Sequence, residues 1–205
     1  MKKIILLTNI LILLALGLSA CAAPTATVEP VIKTENTDAE TETKLDRSGS
    51  DLPDEELPFW FSQELKDINS GTFFKITDFE GKVILVETMA VWCPKCLTQQ
   101  QEIAKLKTVL AAQDDFVSIG IDIDPNENEG LLASHVEKYG FDWIFTIASK
   151  PVIDEIGSLY GAQFLNPPAT PMLIIDRQGA QHPLPFGIKS AEELQKALQP
   201  FLDAE

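Results

Sequence analysis

Beyond residue 57 the chain alternates short apolar runs with stretches whose apolar residues recur every three or four positions, which predicts strands and helices in turn. Phe73 to Thr77 alternates like a strand, and Glu80-Gly81 makes a turn. Lys82 to Thr88 has a continuous apolar run, the mark of a strand covered on both faces. Pro94 to Ala112 places Leu97, Ile103, Leu106 and Leu110 near one face of a helix, with Pro94 suited to its first turn. A strand over Phe116 to Asp122 follows, then a helix from Glu129 to Tyr139 stopped by Gly140. Trp143 to Ile147 reads as a short strand, and Val152 to Tyr160 as a short helix stopped by Gly161. Pro171 to Asp176 begins another strand, which turns at Arg177-Gln178-Gly179 and pairs back through Gln181 to Phe186. Ser190 caps a last helix to about Leu202, with Glu193 three residues on completing a capping box. The predicted architecture is an α/β sandwich, its parallel strands first and an antiparallel pair last.

The pattern is different before residue 58. Lys2-Lys3, the apolar run Ile4 to Leu16 and the small residues to Ala20 have the three zones of an export signal. The run is shorter than the roughly 20 residues that a membrane-spanning helix needs. Leu18-Ser19-Ala20-Cys21 resembles the bacterial lipobox, which implies cleavage before Cys21, a diacylated Cys21 thiol and a lipid anchor in the cell envelope. Residues 21–57 then form an acidic tether: positions 22–57 hold ten acids against three bases and no aromatic residue. Such a segment buries too little apolar surface to offset the entropy of ordering. The expected organisation is therefore a signal over 1–20, a lipidated cysteine and disordered tether over 21–57, and one folded domain over 58–205.

The net charge of −15 argues against a nucleic-acid partner. The chain holds three cysteines, of which Cys93 and Cys96 form a C-x-x-C; with His135 and His182 as the only histidines, no four-ligand metal set stands out, and no cofactor is expected. Asp122 to Asn128 departs from a calcium loop at Glu127 and Ala133, where glycine and glutamate are required, and reads as a strand-to-helix loop with a negative rim. His135 falls on the expected solvent face of its helix.

Cys93-Pro94-Lys95-Cys96 lies where a buried strand hands over to a helix. A helix N-terminus favours a thiolate, so Cys93 at the cap is expected to be exposed and reactive, with Cys96 shielded one turn inside. Lys95 adds a nearby cation, and Trp92 is expected to serve as both core and site wall. A Cys93 thiolate would form a mixed disulfide that Cys96 resolves. Glu87, inward along the strand, is the candidate acceptor for the Cys96 proton, its pKa raised by burial.

The run Leu85 to Cys96, with Trp92 before the C-x-x-C, then Tyr160-Gly161, then Pro168-Ala169-Thr170-Pro171-Met172-Leu173-Ile174-Ile175-Asp176 and Gly179, resembles the TlpA/ResA/CcmG group of thioredoxin-like proteins over about residues 72–201. The resemblance implies a thioredoxin-like three-layer sandwich, with a central mixed sheet flanked by helices. It implies a cis peptide bond before Pro171, with the Thr170 backbone exposed to pair with a substrate segment, and an acid at position 87. The implied partners are protein disulfides or dithiols and a membrane electron-transfer protein that recharges the site. The expected activity is thiol–disulfide exchange, as a reductant of exported disulfides or apocytochromes. The alternatives are a disulfide oxidase or isomerase, a Cu(I) chaperone using both cysteines and a histidine, and a peroxidase. The chain departs from many relatives in carrying Gln99, Gln101 and Met89 where they have glutamate, proline and an aromatic residue.

Overall fold

The computed structural model describes residues 57–204; the signal, Cys21 and tether assignments lie outside them. Strands β1 (Leu65–Lys66) and β2 (Phe73–Phe74) form a small antiparallel ribbon. The main elements follow as β3 (Val83–Met89), α1 (Pro94–Val109), β4 (Phe116–Asp122), α2 (Glu129–Tyr139), β5 (Ile144–Ile147), α3 (Lys150–Tyr160), β6 (Met172–Ile175), β7 (Gln181–Pro183) and α4 (Ala191–Leu202). The main sheet has the order β5-β4-β3-β6-β7. β3, β4 and β5 run parallel; β6 pairs antiparallel with β3, and β7 pairs antiparallel with β6. This is the mixed sheet of a thioredoxin-like α/β sandwich.

All seven residues of β3 are buried, as a central strand covered on both faces requires. Alternation divides them between two cores. Val83, Leu85 and Met89 join Ile103 and Leu106 of α1, Leu132 and Val136 of α2, and Leu194 and Leu198 of α4. Ile84 and Val86 join Val152 and Ile156 of α3 and the aromatic pair Trp60–Phe61 on the other face. Gly120, opposite Glu87 in the β3–β4 register, lets the ring of Phe145 pack directly on the strand. A Cβ there would lie 2.6 Å from the Phe145 ring.

Several local expectations change. The strand expected over Phe73–Thr77 stops at Phe74, and Ile76–Phe79 turns as a 3₁₀ helix. β7 ends at Pro183, which has no N–H to continue a ladder. Ala162–Leu165 and Pro167–Ala169 form 3₁₀ turns that bring the chain from α3 back beside α1. His135 is buried at 6 % exposure: its Nε2 meets Gln100 Oε1 at 2.8 Å, and the Tyr139 and Phe141 rings pack round it.

Candidate active site

β3 delivers the chain to the dithiol. Beyond Met89 it makes a tight turn in which Cys93 N–H donates to Ala90 O at 3.1 Å, and Pro94 opens α1. Cys93 is the N-cap of that helix. Its sulfur is bonded to Cys96 Sγ and accepts the Cys96 backbone N–H at 3.1 Å. A sulfur is thus seated on the free amides of a helix start, as the spacing predicts.

The expected exposure of Cys93 is corrected: the residue is 1 % exposed and belongs to the core cluster with Ala90, Cys96 and Met172. The reason is local. Bonding to Cys96 and capping its amide draw the sulfur over the first turn of α1 and out of water. Trp92, by contrast, is 56 % exposed and does not serve as core; its Nε1 donates to Asp124 Oδ2 at 2.6 Å. Pro94 and Lys95 are exposed beside it.

Glu87 lies on the face of β3 that carries Leu85 and Met89, and so points into the core that holds Cys96. It is 1 % exposed, and neither carboxyl oxygen has a hydrogen-bond partner among the described residues. Burial pushes its pKa up to about 8, while the Gln100 amide and the Lys189 ammonium act in the opposite sense. An ordinary cysteine titrates near 8.5, so the carboxyl and a thiol are matched for proton transfer. Cys96 Sγ lies 3.3 Å from Pro167 O, a contact that becomes a hydrogen bond once Cys96 is a thiol.

The cis bond before Pro171 is also corrected, since no peptide bond among the described residues is cis. Thr170 reverses the chain instead by adopting a left-handed conformation, φ 48°, the only non-glycine residue described with positive φ. Its backbone is not open to a substrate strand. Thr170 N–H donates to Pro167 O at 2.8 Å, its carbonyl accepts Lys189 Nζ at 3.2 Å, and the residue is fully buried. The neighbouring Ala169 carbonyl accepts Gly187 N–H at 2.8 Å. Pro171 is buried beside it, and its carbonyl accepts Thr88 N–H at 3.2 Å.

Three residues were given no role at the site from the sequence: Gln99 was noted only as a departure from relatives, Glu127 only as part of a negative loop rim, and Lys189 not at all. Lys189 stands in the segment before α4, and burial brings its pKa down to about 8 against the pull of Glu87 and Glu193. Gln99 is fully buried and clamps the Lys189 backbone at both ends, Oε1 accepting its N–H at 2.7 Å and Nε2 donating to its carbonyl at 3.1 Å. Glu127 meets the turn before Cys93. None has a local signal; each is brought in through space by a different element.

The sheet, the capping cysteine and its helical partner define a thiol–disulfide oxidoreductase of the thioredoxin type. The chain belongs to the Redoxin family, whose model matches residues 47–180. No curated protein matches it. Among solved structures it is similar to a thioredoxin-family thiol:disulfide interchange protein from Chlorobium tepidum TLS, at 18 % identity over 73 % of this chain and 99 % of that one, TM-score 0.56. A secreted Mycobacterium tuberculosis disulfide oxidoreductase homologous to E. coli DsbE matches at 21 % identity over 68 % and 96 %, TM-score 0.50. A secreted thiol-disulfide isomerase from Corynebacterium glutamicum matches at 15 % over 73 % and 86 %, TM-score 0.59.

Proposed function

We propose that this chain is a lipid-anchored, extracytoplasmic thiol–disulfide oxidoreductase of the TlpA/ResA/CcmG kind, acting as a reductant of exported protein disulfides or apocytochromes. In the reduced form the Cys93 thiolate attacks a sulfur of the partner's disulfide. That disulfide breaks, a Cys93–partner disulfide forms, and the departing sulfur leaves as a thiolate that takes a proton. Glu87 accepts the proton of Cys96, whose thiolate then attacks Cys93. The Cys93–Cys96 bond forms, the partner leaves as a dithiol, and two electrons have moved to it. A membrane electron-transfer partner returns the site to its dithiol form.

The observation that carries this reading is the buried, unpartnered Glu87 on the face of β3 that holds the dithiol. The direction is supported by the acids around the site. Glu127 and Asp124 bind the backbone and indole just ahead of Cys93, and negative charge there disfavours the thiolate relative to the disulfide, which lowers the potential. The anchor is supported by the lipobox-like Leu18-Ser19-Ala20-Cys21. Because Cys93 is covered, docking must part its surroundings before sulfur meets sulfur. Neither histidine favours the copper reading, since His135 bonds Gln100 and His182 bonds Asp176.

The test is turnover of an insulin disulfide with dithiothreitol, together with the reduction potential. Cys93→Ser should abolish turnover, and Cys96→Ser should accumulate mixed disulfides with protein partners. No turnover in a chain whose pair cycles freely would reject the activity. A potential near the oxidising end, about −120 mV, would reject the reductant role in favour of an oxidase. Loss of membrane association in Cys21→Ser tests the anchor.

A further inference from the structure

Glu127 holds the chain just ahead of the dithiol. Inside the Ala90–Cys93 turn two amides are left over, those of Val91 and Trp92. Both donate to the Glu127 carboxylate, Val91 N–H to Oε2 at 2.7 Å and Trp92 N–H to Oε1 at 3.2 Å. One side chain thus takes both free donors of the turn that aims Cys93, in charge-assisted bonds. The loop that carries Glu127 is itself fixed at both ends. Ile123 N–H donates to Met89 O at 3.0 Å, and Asn128 caps α2 by accepting Leu131 N–H at 3.1 Å.

The charges around Glu127 come from three elements. From β4 comes Asp122, fully buried, with one carboxyl oxygen unpartnered among the described residues. Burial and the neighbouring Glu127 hold it well above the usual carboxylate range. The loop adds Asp124 and α2 adds His135, on which Glu127 also acts.

We propose that Glu127 is a positioning residue for the dithiol, one that pins the turn leading into Cys93 through both inner amides and sets a fixed negative charge behind that sulfur. The charge disfavours the thiolate that reduction creates, and so shifts the Cys93–Cys96 equilibrium towards the disulfide. This deepens the reductant reading and rests on it, for it supplies a low potential from a residue that touches neither sulfur.

The experiment uses the chain with Cys21→Ser, so that only the pair titrates, and compares wild type, Glu127→Gln and Glu127→Asp. Two quantities are read: the dithiol–disulfide equilibrium against glutathione, and hydrogen exchange of the Val91 and Trp92 amides. Glu127→Gln removes the charge and should move the equilibrium about tenfold towards the dithiol, a rise of roughly 30 mV. Exchange of both amides should quicken by at least about tenfold, because a neutral acceptor holds them less well. Glu127→Asp keeps the charge on a shorter arm, so exchange should quicken while the equilibrium moves less than in Glu127→Gln. Equilibrium and exchange both within about twofold of wild type in Glu127→Gln would overturn the proposal. So would an unfolded Glu127→Gln beside a folded Glu127→Asp whose amides exchange at the wild-type rate. A wild-type pair that never equilibrates with glutathione would reject the oxidoreductase reading instead, and amide exchange would still decide whether Glu127 pins the turn.

Discussion

Lys189 Nζ donates to the carbonyl of Thr170 at 3.2 Å, which sets an ammonium beside the strand ends that hold the dithiol. The next carbonyl along, that of Pro171, accepts Thr88 N–H, so the cation stands level with the end of β3 that carries Glu87. One side chain therefore closes the Thr170 backbone and serves Glu87 as counter-charge.

Removing that charge should raise the Glu87 pKa further, since only the Gln100 amide would then oppose burial. In Lys189→Met the carboxyl titration, followed by carbon NMR on labelled Glu87, should move to higher pH than its present value of about 8. The rate of the resolving step near about pH 7 should fall several-fold and recover as the pH rises. Lys189→Arg should stay close to wild type. In a Glu87→Gln background Lys189→Met should leave the pH profile unchanged; an equal shift there would show that the lysine acts elsewhere.

Stability should fall as pH rises through the neutral range. The folded Glu87 keeps its proton up to about 8, whereas an unfolded glutamate loses it near the ordinary 4.5. Between those values the folded state binds more protons, so each pH unit costs up to about 1.4 kcal/mol per such group. Asp122 shifts in the same direction, driven first by burial. Lys189 has the opposite sign in a higher window: its pKa is lowered from 10.5 to about 8, so stability returns as pH climbs through that interval. Urea melts across this range should show the decline, and Glu87→Gln should lessen it, leaving the part that Asp122 contributes. A flat wild-type profile would remove the case for a neutral, buried Glu87.

Gly120→Ala should destabilise the fold by about 1–3 kcal/mol, because the added carbon meets the Phe145 ring at 2.6 Å. That ring is fully buried against Trp143 and Phe141 and has little room to yield. Thermal melting measures the loss; an unchanged melting temperature would mean that the aromatic cluster can slide.

Arg177→Lys should cost about 1–2 kcal/mol despite keeping the charge. The guanidinium holds Asp115, the Gly81 carbonyl at 2.8 Å and the Leu202 carbonyl at 3.1 Å together, joining the approach to β3 with the end of α4. An ammonium cannot hold three such positions from one plane. Chemical denaturation of the two chains compares them.

What the sequence made legible follows the range of the interactions. β3, α1, β4, α2 and α4 were readable because periodicity, caps and stops act within a few residues: Cys93 before Pro94, Gly140 after Tyr139, Ser190 with Glu193. Burial of Glu87 followed from its place in an apolar strand. Lys189 was invisible because its importance comes from Thr170, Gln99 and Glu87, which reach it across the fold. His135 was misplaced for a similar reason. A helical pattern marks one apolar face, but it does not show that Gln100 and two aromatic rings cover the neighbouring side. The exposure of Cys93 was overread because a helix cap is usually a surface position, while here the cap is also bonded to the turn beneath it.

Gln99 clamps the backbone ahead of α4 with an amide, at a position where many relatives of the group that this chain resembles carry an acid. A neutral side chain can accept and donate at once, so it meets an N–H and a carbonyl of the same residue, which a carboxylate cannot do. Neither acidification nor ionic strength alters such a joint. In a protein of net charge −15, the helix bearing the cysteines is therefore tied to the C-terminal helix by a link that the surrounding medium does not tune.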